Sequence, residues 1–107
     1  MKTITELTQI FIDFDTNSKF YAQGENWEIT IFKPYNIDEN VLRYHFRLYG
    51  KMSNSLFSEY NNNLQLAADI YYYFDLKNNL LTRKVDLREL SDNIYCLIDI
   101  QETIKNI

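Results

Sequence analysis

The sequence predicts an α+β fold, an antiparallel sheet of about five strands with flanking helices in the order α-β-β-β-α-β-β-α. Three observations carry that expectation. Apolar and polar residues alternate over 41–49 and again over 64–76. Asn78 and Asn79 stand between two strand-like runs. Apolar residues recur at helical spacing near both ends. With 107 residues, 46% of them apolar and 24% charged, the chain has material for one core, so residues 1–107 are expected to form a single α+β domain.

The elements follow in order. Thr3 and Glu6 fit a capping box, and Ile4, Leu7, Phe11 and Phe14 follow at helical spacing, which predicts a first helix over about 4–14. "KFYAQGENWEITIF" reads as two strands turning near Gly24 to Asn26, with Trp27, Ile29 and Ile31 on one face and Pro34 as the end. In the third strand Leu42, Tyr44, Phe46 and Leu48 face one way, and Arg43, His45, Arg47 and Tyr49 the other. Ser53 can cap a short helix over "NSLFSEYNN". Leu64, Leu66, Ala68, Ile70, Tyr72, Phe74 and Leu76 then keep one parity, which favours a fourth strand, although 56–68 also reads as one longer helix. "LLTRKV" returns as the fifth strand after the Asn78–Asn79 turn. Leu87, Leu90, Ile94, Leu97 and Ile104 predict a closing amphipathic helix, with a strand at "IYCLIDI" as the rival reading.

Composition narrows the function. No run approaches the ~18 apolar residues of a membrane span. Glu6 interrupts the start too early for a signal peptide, so a cytoplasmic location is expected. Cys96 is the only cysteine, which leaves no internal disulfide or multi-cysteine zinc site and suits a reducing compartment. Formal charge is −4 over residues 1–40, +3 over 41–84 and −3 over 85–107. That segregation points to a protein partner or to pairing between the segments themselves; neither nucleic acid nor membrane is expected to bind.

No catalytic constellation is legible. The single histidine, His45, shares a strand face with Arg43 and Arg47, where an exposed or paired side chain is the expectation. Two glycines, Gly24 and Gly50, are too few and too far apart to cradle a phosphate. Asp13 with Asp15, and Asp38 with Glu39, lack the ligand series of a calcium loop. Cys96 reads as core packing, and Arg43, Arg47 and Lys51 as a solvated cationic row able to meet an anion. Tyr71 and Tyr73 point away from the core side of their strand, either for cross-strand packing or for an interface. No enzyme activity, no cofactor and no metal are expected.

Phe74, Asp75 and Leu76, with the turn Lys77 to Asn79, lead into Leu80, Leu81, Thr82, Arg83, Lys84, Val85, Asp86 and Leu87. An apolar residue, an aspartate, a polar turn, a strand ending in two basic residues and a leucine opening the last helix is a pattern of the class I type III secretion chaperones, the family of the Tir chaperone. The chain resembles that family over about residues 41–104. The resemblance implies a homodimeric chaperone without enzymatic activity that binds the N-terminal segment of a secreted effector in extended form. It implies partner-binding residues on the first helix and strands, where Phe11, Phe14, Trp27, Ile29 and Ile31 are the candidates, each of which could equally be core. It also implies a two-fold interface at the short middle helix, here Leu56, Phe57 and Tyr60, extended by Tyr71 and Tyr73. The alternative is an immunity protein or inhibitor that neutralises a toxin or nuclease through acidic side chains such as Asp13, Asp15, Asp38 and Glu39.

Overall fold

Polar turns and alternating strands fold back on one another to give one antiparallel sheet, with both described helices on one of its faces. A computed structural model describes the backbone of residues 1–17, 21–54, 59–88, 94–96 and 98–107, and among these the side chains of 1–13, 21–52, 64–88, 96 and 98–107. Helix α1 (Ile4–Asn17) opens the chain. It is followed by β1 (Ala22–Gln23), β2 (Trp27–Asp38), β3 (Val41–Asn54), β4 (Glu59–Asp75), β5 (Leu80–Leu87), β6 (Ile94–Cys96) and α2 (Ile100–Lys105). The strands lie in the order β1-β2-β3-β4-β5, all neighbours antiparallel, and β6 pairs with the far end of β3.

The capping box at the start of α1 is formed. Glu6 N–H donates to Thr3 Oγ1 (3.2 Å) and Thr3 N–H to Glu6 Oε1 (3.3 Å), which satisfies two of the free donors of the first turn. Leu7 and Phe11 are then buried, and the Phe11 ring meets Tyr44 and Phe46 edge-on at 5.0 and 5.5 Å. The inward residues of β3, Tyr44, Phe46 and Leu48, join Ile70 and Tyr72 of β4 and Ile29 and Ile31 of β2 in one core. Ile104 and Ile107 close it from the C-terminal side. Tyr72 is wholly buried, and its hydroxyl donates to the Ile107 carbonyl (2.8 Å), so the ring brings no unsatisfied polar atom into the core. Arg83 Nη2 donates to the Ile104 carbonyl (2.9 Å) and ties α2 to β5.

Four expectations are corrected. Pro34 does not end β2: the register passes from Phe32↔His45 to Tyr35↔Arg43, so Lys33 and Pro34 together oppose the one residue Tyr44. A bulge beyond the reach of the two-residue β1 is where a missing N–H costs no ladder bond. The short helix expected over "NSLFSEYNN" gives way to strand at both ends, since Asn54 belongs to β3 and Glu59 to Asn62 belong to β4. Residues 55–58, with Leu56 and Phe57, lie outside the described residues. A helix of so few residues has little stability without packing, whereas extending β3 and β4 adds ladder hydrogen bonds at Met52↔Asn61, Ser53↔Tyr60 and Asn54↔Glu59. The parity of β4 is broken as well: Ala67 is an extra residue between the pairs Leu48↔Ala68 and Tyr49↔Leu66, and both alanines are buried. The closing helix is limited to Ile100–Lys105, started by Asp99, whose carboxylate accepts from Glu102 N–H (3.1 Å). Ile94–Cys96 instead forms β6, part of the rival strand reading, because the end of β3 leaves an edge open to it. No helix among the described residues is long and apolar enough to cross a membrane.

Candidate functional site

The face of the sheet opposite the helices carries the most organised polar cluster. Strand parity places Phe32 of β2, Arg43, His45 and Arg47 of β3, and Asp69, Tyr71 and Tyr73 of β4 on that face, and the bulge at Pro34 returns Tyr35 to it. In-register pairing sets Phe32 beside His45 and His45 beside Tyr71, so three rings from three strands stack at 4.5 and 4.4 Å between centroids. Tyr73 continues the row beside Tyr71 at 6.1 Å. The guanidinium of Arg47 lies over Phe32 (5.1 Å), and that of Arg43 lies over both Tyr35 and Tyr71 (5.4 Å each).

Asp69 organises the centre. Its Oδ1 takes His45 Nε2 at 2.6 Å and the Arg47 Nε–H at 2.8 Å. Burial between two rings lowers the His45 pKa, and the neighbouring Asp69 only partly opposes it, so the imidazole is neutral at pH 7 and donates from Nε2. Burial works to raise the Asp69 pKa, but hydrogen bonds from Arg47 and His45 outweigh it and hold the carboxyl below its usual value. The Tyr71 hydroxyl is raised by burial and by the nearby Asp69 charge. Arg47, His45 and Asp69 thus satisfy one another, and His45, although on the helix-free face, is buried. The sequence reading of His45 as exposed or paired resolves to paired, with Asp69 as a partner 24 residues away.

Arg43 differs from Arg47. It has no ion pair or hydrogen bond among the described residues, and its Nε is buried without a partner. On neighbouring β5, Lys84 has Asp86 at 3.7 Å. Arg47, His45 and Asp69 are thus mutually paired, Lys84 lies near Asp86, and among the described residues Arg43 is held by rings alone.

The other sequence candidates disperse. Phe11, Ile29 and Ile31 are buried in the core, and the side chain of Phe14 lies outside the described residues. Trp27 is half-buried and, with Ile29, Tyr21, Ala22, Glu102 and Thr103 of α2 and Asn106 at its C-cap, lines a groove of about 450 Å³. Gly24 makes room for that indole, since a Cβ there would lie 2.3 Å from Trp27 Nε1. Of the interface candidates, Leu56, Phe57 and the side chain of Tyr60 lie outside the described residues, while Tyr71 and Tyr73 stand together in the stacked row. Phe32 and Tyr35 were missed because the Pro34 bulge hid their parity; the recurrence of aromatic residues on both sides of the proline was the available signal.

No protein-family model, curated protein or solved structure matches the chain.

Proposed function

We propose that the chain is a non-enzymatic protein-binding protein and that the helix-free face of the sheet is its contact surface. One observation carries the reading: the row Phe32, His45, Tyr71 and Tyr73, flanked by Arg43 and Arg47, on a face that neither described helix covers. Tyrosine, phenylalanine and arginine are the residue types enriched at protein interfaces, because rigid rings bury area at low entropic cost and guanidinium groups form directed pairs. Single-stranded nucleic acid also stacks on such rings, but it needs a basic groove. Arg47 is taken up by Asp69, and the chain carries a formal charge of −4.

The secreted-effector partner is the narrow form of this reading and draws its support from the resemblance over about residues 41–104. A homodimer is a second form. By strand parity the face carries Arg43, Arg47, Lys51 and Lys84 against Glu28, Asp69, Asp75 and Asp86, a near balance that would let two acidic chains meet there without strong repulsion. Tyr71 and Tyr73 would then serve the two-fold contact, which no longer draws on a middle helix.

Size-exclusion chromatography of a native lysate tests the reading. The wild-type chain is expected to elute well above its own 12.9 kDa. A Phe32→Ser, Tyr71→Ser, Tyr73→Ser variant with an unchanged circular dichroism spectrum is expected to elute at single-chain mass. Identical elution of the two proteins would remove the proposal.

A further inference from the structure

Resting on that reading, we propose that Arg43 is the receptor for a carboxylate side chain of an acidic segment in the partner protein. The two arginines of the helix-free face stand only four residues apart and face the same way, yet they are in different states. Arg47 gives its Nε–H to Asp69 and lies over one ring. Arg43 lies over two rings, Tyr35 from β2 and Tyr71 from β4, which hold its guanidinium from two neighbouring strands. It has no carboxylate partner among the described residues, and its buried Nε donates to nothing. A carboxylate meeting its Nη groups would supply the charged hydrogen bonds that this guanidinium lacks. A guanidinium already fixed in position loses little further entropy on binding.

The shape of the guanidinium selects the ligand. Its planar fork matches the two oxygens of a carboxylate through parallel N–H···O bonds. Tyr35, exposed beside it, adds an apolar wall and a hydroxyl. Carboxylates on the neighbouring strands are otherwise engaged: Asp69 accepts from Arg47 and His45, Asp75 from Lys77 N–H (3.0 Å) and Asn78 N–H (3.1 Å), and Asp38 from Asn40 N–H (2.7 Å). Among the described residues no carboxylate is paired with Arg43, which leaves the guanidinium open to one from a partner. Although the face as a whole is near balance, Arg43 lies in the stretch 41–84, whose formal charge is +3, and this favours an acidic segment of the partner protein there.

The test follows the Arg43 Nε–H resonance in the full-length protein by nuclear magnetic resonance. Titration with an oligoglutamate peptide is expected to move that resonance to saturation, while an oligoglutamine peptide of equal length leaves it in place. Arg43→Gln is expected to weaken oligoglutamate binding about tenfold or more, and Arg43→Lys to recover only part of the loss, because an ammonium lacks the fork. No shift with oligoglutamate, equal affinity in Arg43→Gln, or a larger response to inorganic phosphate or to oligo-dT would overturn the proposal. The Arg43→Gln chain also separates it from the broader reading. An assembly that survives Arg43→Gln but is lost in the Phe32, Tyr71 and Tyr73 variant refutes the carboxylate receptor and leaves the contact surface standing.

Discussion

Asn79 is the one non-glycine residue among those described with positive φ, at 51°. Its neighbour Asn78 instead donates from its backbone N–H (3.1 Å) and side-chain amide (2.8 Å) to Asp75. The two asparagines of the β4–β5 turn thus serve different ends, which the sequence alone could not separate. Asn79→Gly should be neutral or mildly stabilising, whereas Asn79→Val should cost about 1–2 kcal/mol, because a β-branched side chain crowds the backbone in the left-handed region. Asn78→Val keeps the backbone N–H bond to Asp75 and loses only the exposed side-chain one, worth about 0.5 kcal/mol. Thermal melts of the three variants check the order. At the centre of the sheet face, burial holds the folded-state pKa of His45 below the ordinary imidazole value of 6.5, so its contribution to stability is complete above that pH and declines as pH falls below it. Asp69 is also lowered, from 3.8, so its contribution is present above that value and is lost at lower pH. Urea unfolding across pH should therefore show two successive losses on acidification. His45→Gln should abolish the upper one and keep the lower. A single loss below the carboxylate range in the wild type would contradict the buried, neutral imidazole.

Elements were legible where a period ran unbroken and illegible where a local irregularity reset it. The first helix, the inward row Tyr44, Phe46 and Leu48, and the Asn78–Asn79 turn follow from spacing and turn chemistry, which are local properties. The extra residue at Ala67, the strand running through Pro34, and β6 depend on what the neighbouring strand offers, and no window of the sequence contains that neighbour. The His45–Asp69 pair was hidden for the same reason, although both residues and their outward parity could be read singly. Gly50 illustrates the dependence between elements: a Cβ there would lie 2.8 Å from Cys96 Sγ and 3.3 Å from Ile98 Cδ1, so the bare backbone of β3 is what lets the segment around β6 approach. Gly50→Ala should destabilise by about 1–3 kcal/mol through overpacking. Adding Cys96→Ala to that variant should recover part of the loss by removing the closest atom. Denaturant midpoints of the two single variants and the double variant check this, and strict additivity would contradict direct contact.

At the scale of the whole molecule, the extents of 52 × 29 × 21 Å describe a long two-layer slab. Its thin dimension suits a sheet with one helical layer at about 10 Å, so one broad sheet face is left outside that sandwich. That face is not surfaced like an ordinary solvated sheet: Phe32 is 39% and Tyr35 59% exposed, and between them and the tyrosines of β4 stand two arginines in different states of pairing. The central claim is that this face, not the helical one, meets other proteins. Photo-crosslinking in the source cell tests it most directly, with p-benzoylphenylalanine placed either at Tyr73 on the sheet face or at Gln9 on the exposed side of α1. The account predicts covalent protein adducts, with a second copy or another chain, from the Tyr73 position and none above background from Gln9. Adducts from Gln9 with none from Tyr73 would contradict it.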